Sequence, residues 1–150
     1  MSDTRIMLIP SDPYFVPDSE KQFTARKKLA EIAPDAEAFE IVLSESVQFF
    51  DCGSNFEKVF CPSCGMEIPA TWWIERMNED YKNGFQLNLY QPPCCKVATT
   101  LQNLVYDWAQ CFGRFALVAR NPNIGTLDET HHHELETLLG TKLIVIYQLL

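Results

Sequence analysis

The sequence predicts an α+β fold: a ferredoxin-like split βαβ sheet carrying two helices, with a small module inserted at its centre. Three observations lead there. The two outer parts of the 150-residue chain each read strand, helix, strand, the order of the split βαβ motif. Between them, residues 51–108 break the long periodic patterns into short apolar runs punctuated by Gly, Pro, Asn and Asp. That middle stretch also holds two cysteine pairs, Cys61 with Cys64 and Cys94 with Cys95.

Each element has a local reason. Ile6 to Ile9 is a short apolar run stopped by Pro10 and reads as the first strand, and the proline-rich stretch to Pro17 reads as a loop. Ser19 to Ala33 has helical spacing, with Phe23, Leu29, Ala30, Ile32 and Ala33 as its apolar stripe. Asp18 or Ser19 caps it and Pro34 stops it. Ala38 to Phe50 reads as one long or bent strand, or two short ones, with a break at Ser44 to Ser46. Asp51 to Asn55 is turn material, and Glu57 to Phe60 is a strand running into Cys61. Thr71 caps a helix to Asn83, with Gly84 as its stop. Phe85, Leu87 and Leu89 alternate with polar residues, the period of a strand. Phe112 to Ala119 is a strand closed by the turn Asn121-Pro122-Asn123. Thr126 to Glu129 has the T-x-x-E form of a capping box and opens a helix that ends at Leu139, before Gly140. Lys142 to Leu149 is apolar enough for a strand in the middle of the sheet.

This length suits one domain, residues 1–150, with 51–108 as its insertion. Apolar residues make up 47%, enough for a packed core and too much for intrinsic disorder. The formal net charge of −8 weighs against a surface that grips nucleic-acid phosphate. Ile6 to Ile9 is too short for the core of a signal peptide, and no run approaches the roughly 20 apolar residues of a membrane span. The expected compartment is the cytoplasm, where thiols stay reduced or bind metal.

Cys61-Pro62-Ser63-Cys64-Gly65 is the most informative run. Two cysteines at this spacing, with Gly just behind, form a tight turn in which both thiolates face one metal at about 2.3 Å. A redox C-x-x-C would open a helix, and Gly65 and Pro69 argue against one here. Structural zinc takes four ligands. Cys94 and Cys95 complete the set, so the expected ligands are Cys61, Cys64, Cys94 and Cys95 on two facing hairpin tips, a zinc-ribbon-like arrangement. The second tip departs from the usual pattern, because neighbours on a straight strand point to opposite faces. A bend after Pro92 and Pro93 is needed to aim both sulfurs at one ion. A rival set keeps one of Cys94 and Cys95 and recruits Cys52 or a histidine. Cys52 and Cys111 otherwise read as buried free thiols. Four thiolates leave no position for water, so the Zn2+ would be structural, holding an insertion too small for a core of its own.

The same residues resemble a known group of proteins. Asp51-Cys52-Gly53-Ser54-Asn55-Phe56-Glu57 leads into the Cys61–Gly65 knuckle, followed by Pro93-Cys94-Cys95, Tyr106-Asp107-Trp108 and Gly113-Arg114-Phe115. Together they resemble a family of small, uncharacterised bacterial proteins over residues 49–123. The resemblance implies zinc and a bacterial cytoplasmic origin, and it implies no reaction. The knuckle alone resembles zinc ribbons at large, which bind nucleic acid, bind proteins or only hold a fold.

Other candidates read more plainly. His131, His132 and His133 fan out by about 100° per residue on a helix and cannot converge on one ion. His131 is expected to pack and the other two to point away. His132-His133-Glu134 spells the H-x-E of zinc deaminases, but it follows the cysteine knuckle where those enzymes place it first. Trp73, Met77 and Tyr81 share one helix face and read as core. Trp72 lies round the helix from them and is the candidate partner anchor, because interface hot spots favour Trp. Arg26-Lys27-Lys28 reads as the solvated face of the first helix. No P-loop, G-x-G-x-x-G, G-x-S-x-G or H-E-x-x-H occurs.

The expected role is non-catalytic: a zinc-stabilised protein that binds another protein, its acidity favouring a basic partner. Small acidic immunity proteins that neutralise toxins are the analogy. Nucleic-acid binding through the ribbon and an enzyme cleft between sheet and insertion are the alternatives.

Overall fold

A computed structural model describes residues 3–150. In chain order the elements are β1 (Thr4–Pro10), α1 (Ser19–Ile32), β2 (Ala38–Phe50), β3 (Val59–Phe60), α2 (Ala70–Asp80), β4 (Val105–Tyr106), β5 (Cys111–Arg120), α3 (Glu129–Leu139) and β6 (Leu143–Leu149). The main sheet runs β2-β5-β1-β6, every neighbouring pair antiparallel. α1 joins β1 to β2 and α3 joins β5 to β6, each crossing one intervening strand. The fold is mixed α+β, with a second, two-stranded sheet of β3 and β4 in the insertion.

Both crossover helices pack on one face of the sheet. Ala25 and Leu29 of α1 meet Leu135 and Leu139 of α3 over Leu8, Phe115, Leu117 and Leu143. Each fully buried Leu there contributes about 1.5–3 kcal/mol. On the opposite face Met7, Ile9, Ala116, Val118 and Ile146 pack with Cys52 and Cys111.

Asp18 caps α1 by accepting the Lys21 N–H at 2.9 Å. The buried face of α1 runs through Gln22, Ala25 and Leu29, so Phe23, one step round, is 57% exposed and leaves the predicted stripe. The Arg26 guanidinium covers its ring at 5.1 Å. Lys28 is not merely solvated: its Nζ lies 2.9 Å from Glu134 of α3, and that partnership raises its pKa.

α3 starts two residues later than the capping box implies. Asp128, not Thr126, is its cap and accepts the His131 N–H at 2.8 Å. Its histidines also differ from expectation. His131 sits half-exposed beside Asp128, and His132 turns inward with Nε2 3.0 Å from the Leu143 carbonyl oxygen. Only His133 is well exposed.

β6 is an edge strand, not a central one. Its apolar residues report two buried faces rather than two strand neighbours, and its open side is closed by other means. Ser54 N–H donates to the Leu149 carbonyl oxygen at 2.8 Å, and Leu149 N–H donates to that of Cys52 at 3.2 Å. Asn55 Nδ2 donates to the Tyr147 carbonyl oxygen at 3.0 Å, and Glu136 accepts the Leu143 N–H at 2.8 Å.

The insertion corrects three further expectations. α2 begins at Ala70 with Pro69 in the cap position, so Thr71 lies inside the first turn, and the helix ends at Asp80. Residues 85–90 are not a strand despite their alternation: Leu87 has φ +53°, and the amides of Leu87 and Asn88 donate to the Asp80 carboxylate. The insertion is also not coreless. Val59, Ile68, Leu101 and Leu104 pack with Val47 and Phe112 from the ends of β2 and β5. Trp73 stacks on Phe56 with ring centres 5.3 Å apart, and its Nε1–H donates to the Tyr106 hydroxyl at 3.1 Å. Met77 joins this cluster, while Tyr81 is 49% exposed. Among the described residues no helix is long and apolar enough to cross a membrane.

Candidate metal centre

Two hairpin tips build the site. In the first, β3 delivers Cys61 and the chain turns through Pro62–Cys64. The Cys61 carbonyl oxygen accepts the Gly65 N–H at 3.0 Å, and the Cys61 N–H donates to the Met66 carbonyl oxygen at 2.9 Å. Ile68 N–H closes the base on the Val59 carbonyl oxygen at 2.8 Å. In the second tip, Tyr90 and Thr99 exchange backbone hydrogen bonds of 2.8 Å. The chain then turns at Pro92, whose carbonyl oxygen accepts the Cys95 N–H at 3.3 Å.

The two tips bring three sulfurs together. Cys61, Cys64 and Cys94 have Sγ atoms all within 4.8 Å of one another, and Cys64 and Cys94 are 3.5 Å apart. Tetrahedral zinc with bonds of about 2.3 Å spaces its sulfurs by roughly 3.8 Å, so the cluster fits such an ion. Cys61 is buried, Cys94 half-buried and Cys64 exposed, which leaves a side open for a metal to enter. Cys95 falls outside the three-sulfur set, and its Sγ accepts the Val97 N–H at 3.5 Å. Neither Cys52 nor a histidine joins the cluster.

The electrostatics suit a cation. The Cys64 N–H, then that of Ser63, hold the Cys61 thiol down to about 7. Cys94 is pushed up to about 12, first by burial and then by the sulfurs of Cys64 and Cys61 beside it. Crowded thiols resist losing their second and third protons, and a divalent ion at their centre reverses that resistance. Cys52 and Cys111 are buried away from this group. Burial raises both thiols, Cys52 to about 11, and they lack the electropositive surroundings of a reactive cysteine.

Sequence reasoning missed the residue that positions the second tip. Asp80 is fully buried and accepts three hydrogen bonds: Leu87 N–H at 2.7 Å, Asn88 N–H at 2.9 Å and the Tyr90 hydroxyl at 2.8 Å. The signal was there, because a carboxylate in the last turn of a helix opposes the helix dipole and needs another reason to be there. Trp72 is half-buried against the insertion core, with the Arg76 guanidinium 5.6 Å over its ring.

Compared with known proteins, the chain matches no family model, no curated protein and no solved structure.

Proposed function

We propose that this is a non-catalytic cytoplasmic protein with one structural zinc, held by Cys61, Cys64, Cys94 and Cys95, that acts by binding another protein. The observation carrying the reading is the meeting of three sulfurs, from two hairpin tips, within 4.8 Å. Cys95 supplies the fourth ligand by turning its side chain away from the Val97 N–H, next to a ligand already in place. The zinc-ribbon-like description of the insertion rests on the two facing tips. The ferredoxin-like description of the rest relies on the strand order and its two helical crossovers. Kinship with the small bacterial family rests on sequence motifs alone: Asp51–Glu57, Cys61–Gly65, Pro93–Cys95, Tyr106–Trp108 and Gly113–Phe115.

Four thiolates and one zinc ion make an already acidic chain more so. Long-range attraction then favours a basic partner, as for toxin-neutralising immunity proteins, with Trp72 as an anchor. Metal analysis with X-ray absorption on the purified chain tests the centre. One zinc per chain with four sulfurs is the expected result, falling to three sulfurs in Cys95→Ser. A metal-free protein, or a site dominated by oxygen and nitrogen, overturns it. The partner reading predicts salt-sensitive recovery of a basic protein from native lysate, and salt-insensitive or absent recovery counts against it.

A further inference from the structure

A cleft lies where the insertion meets the main sheet, away from the cysteines. β2 bulges between the Leu43–Phe115 and Gln48–Gly113 pairs, so Ser44–Val47 stand opposite Arg114 alone. Bulges of this kind re-aim side chains and gather at functional rims. The Arg114 Nε–H donates to the Ser44 carbonyl oxygen at 3.1 Å, which fixes the guanidinium in the cleft. Among the described residues its terminal nitrogens have no carboxylate partner, although Glu45 stands at the same rim.

The insertion forms the other wall and is held there. Phe85 N–H donates to the Val47 carbonyl oxygen at 2.9 Å, and Gln86 N–H donates to that of Asp80 at 3.2 Å. Gly84 has φ +122° and presses so closely on the bulge that a Cβ would lie 2.6 Å from the Ser46 Cβ. Only glycine allows that approach. The space between the walls is about 260 Å³, below the size of drug-binding pockets and suited to a small metabolite. Tyr14 and Gln86 line its mouth.

We propose that this cleft binds a small oxyanion, the carboxylate or phosphate group of a metabolite, on the Arg114 guanidinium. A planar guanidinium tethered by Nε presents its remaining N–H groups as a fork, the geometry that carboxylates and phosphates accept. In a chain of net charge −8, a half-buried arginine turned into a cleft without a carboxylate partner lacks an explanation as a surface ion pair. The site is independent of the metal centre and of the partner reading.

Amide NMR of the full chain, titrated at low ionic strength with inorganic phosphate and separately with malonate, tests this. Saturable shifts confined to Ser44–Val47, Asn83–Gln86 and Arg114 are expected in at least one titration, and the responding anion identifies the chemistry. Arg114→Gln should weaken binding at least about tenfold. Glu45→Gln leaves the bulge contacts intact and should tighten binding by about two- to fivefold, the worth of one nearby like charge in water. Absence of saturable shifts in both titrations, shifts elsewhere, wild-type affinity in Arg114→Gln or unchanged affinity in Glu45→Gln would each overturn the proposal.

Discussion

Replacing Asp80 by Asn should cost the protein about 2–4 kcal/mol of stability, although the two side chains have nearly the same shape. The carboxylate takes the Leu87 N–H on one oxygen and the Asn88 N–H and Tyr90 hydroxyl on the other, at 2.7, 2.9 and 2.8 Å. An asparagine keeps one acceptor oxygen for the Asn88 N–H and the Tyr90 hydroxyl, and turns its NH2 group toward the Leu87 N–H, which cannot accept. At least one charge-assisted bond is lost, at about 1.5–3 kcal/mol, and a buried donor is left facing another. Relief from burying a charge returns part of that cost. Urea unfolding measures the difference, read as a lower midpoint at unchanged slope. Hydrogen exchange should show the Leu87 and Asn88 amides opening first. A loss below about 0.5 kcal/mol with both amides still protected would refute the account, since surface-like substitutions fall in that range.

Three further outcomes follow from the same structure. Gly53 has φ +63° and an added Cβ would run into the Leu149 carbonyl oxygen, so Gly53→Ala should destabilise by about 1–3 kcal/mol, measured by thermal unfolding. Burial, and secondarily the bond to Asp80, pushes the Tyr90 hydroxyl up to about 12 from an ordinary 10. Its contribution is therefore complete below pH 10, and the protein should lose stability between pH 10 and 12 as the unfolded chain releases this proton first; urea midpoints across that range, with Tyr90→Phe as control, check it. Removing the proposed zinc with a chelator should open amides 61, 63–66 and 94–97 while those of β1, β5 and β6 keep their protection, because the main sheet packs in clusters of its own around Leu8 and Ile146. Joint loss of protection across the main sheet would show that the two parts are one cooperative unit.

The outer elements were legible because their signals are local. α1 shows its cap and its proline stop, and α3 shows its Gly140 end, within a few residues of where each acts. The cysteine cluster was legible for a similar reason: the knuckle places two thiols within one turn, and Cys94 had few rivals. What failed was long-range. Nothing within Phe85–Tyr90 announces that its amides bond to a side chain rather than a strand, because the partner, Asp80, lies on the preceding helix. The apolar run of β6 told of burial but not of neighbours. The histidines were placed by helical angle alone, and the start of β6, which draws His132 inward, is set by tertiary packing.

The closed outer side of β6 has a consequence for self-association. A half-apolar edge strand is a template for strands from other copies of the chain, and here Cys52–Asn55 occupy its C-terminal rungs. Those residues open the insertion, so the guard over the sheet belongs to the part of the molecule that carries the cysteine cluster. Aggregation should therefore begin from a native-like species in which only this loop has lifted, long before the main sheet unfolds. Its onset should follow the state of the Gly53 turn more closely than the global melting point.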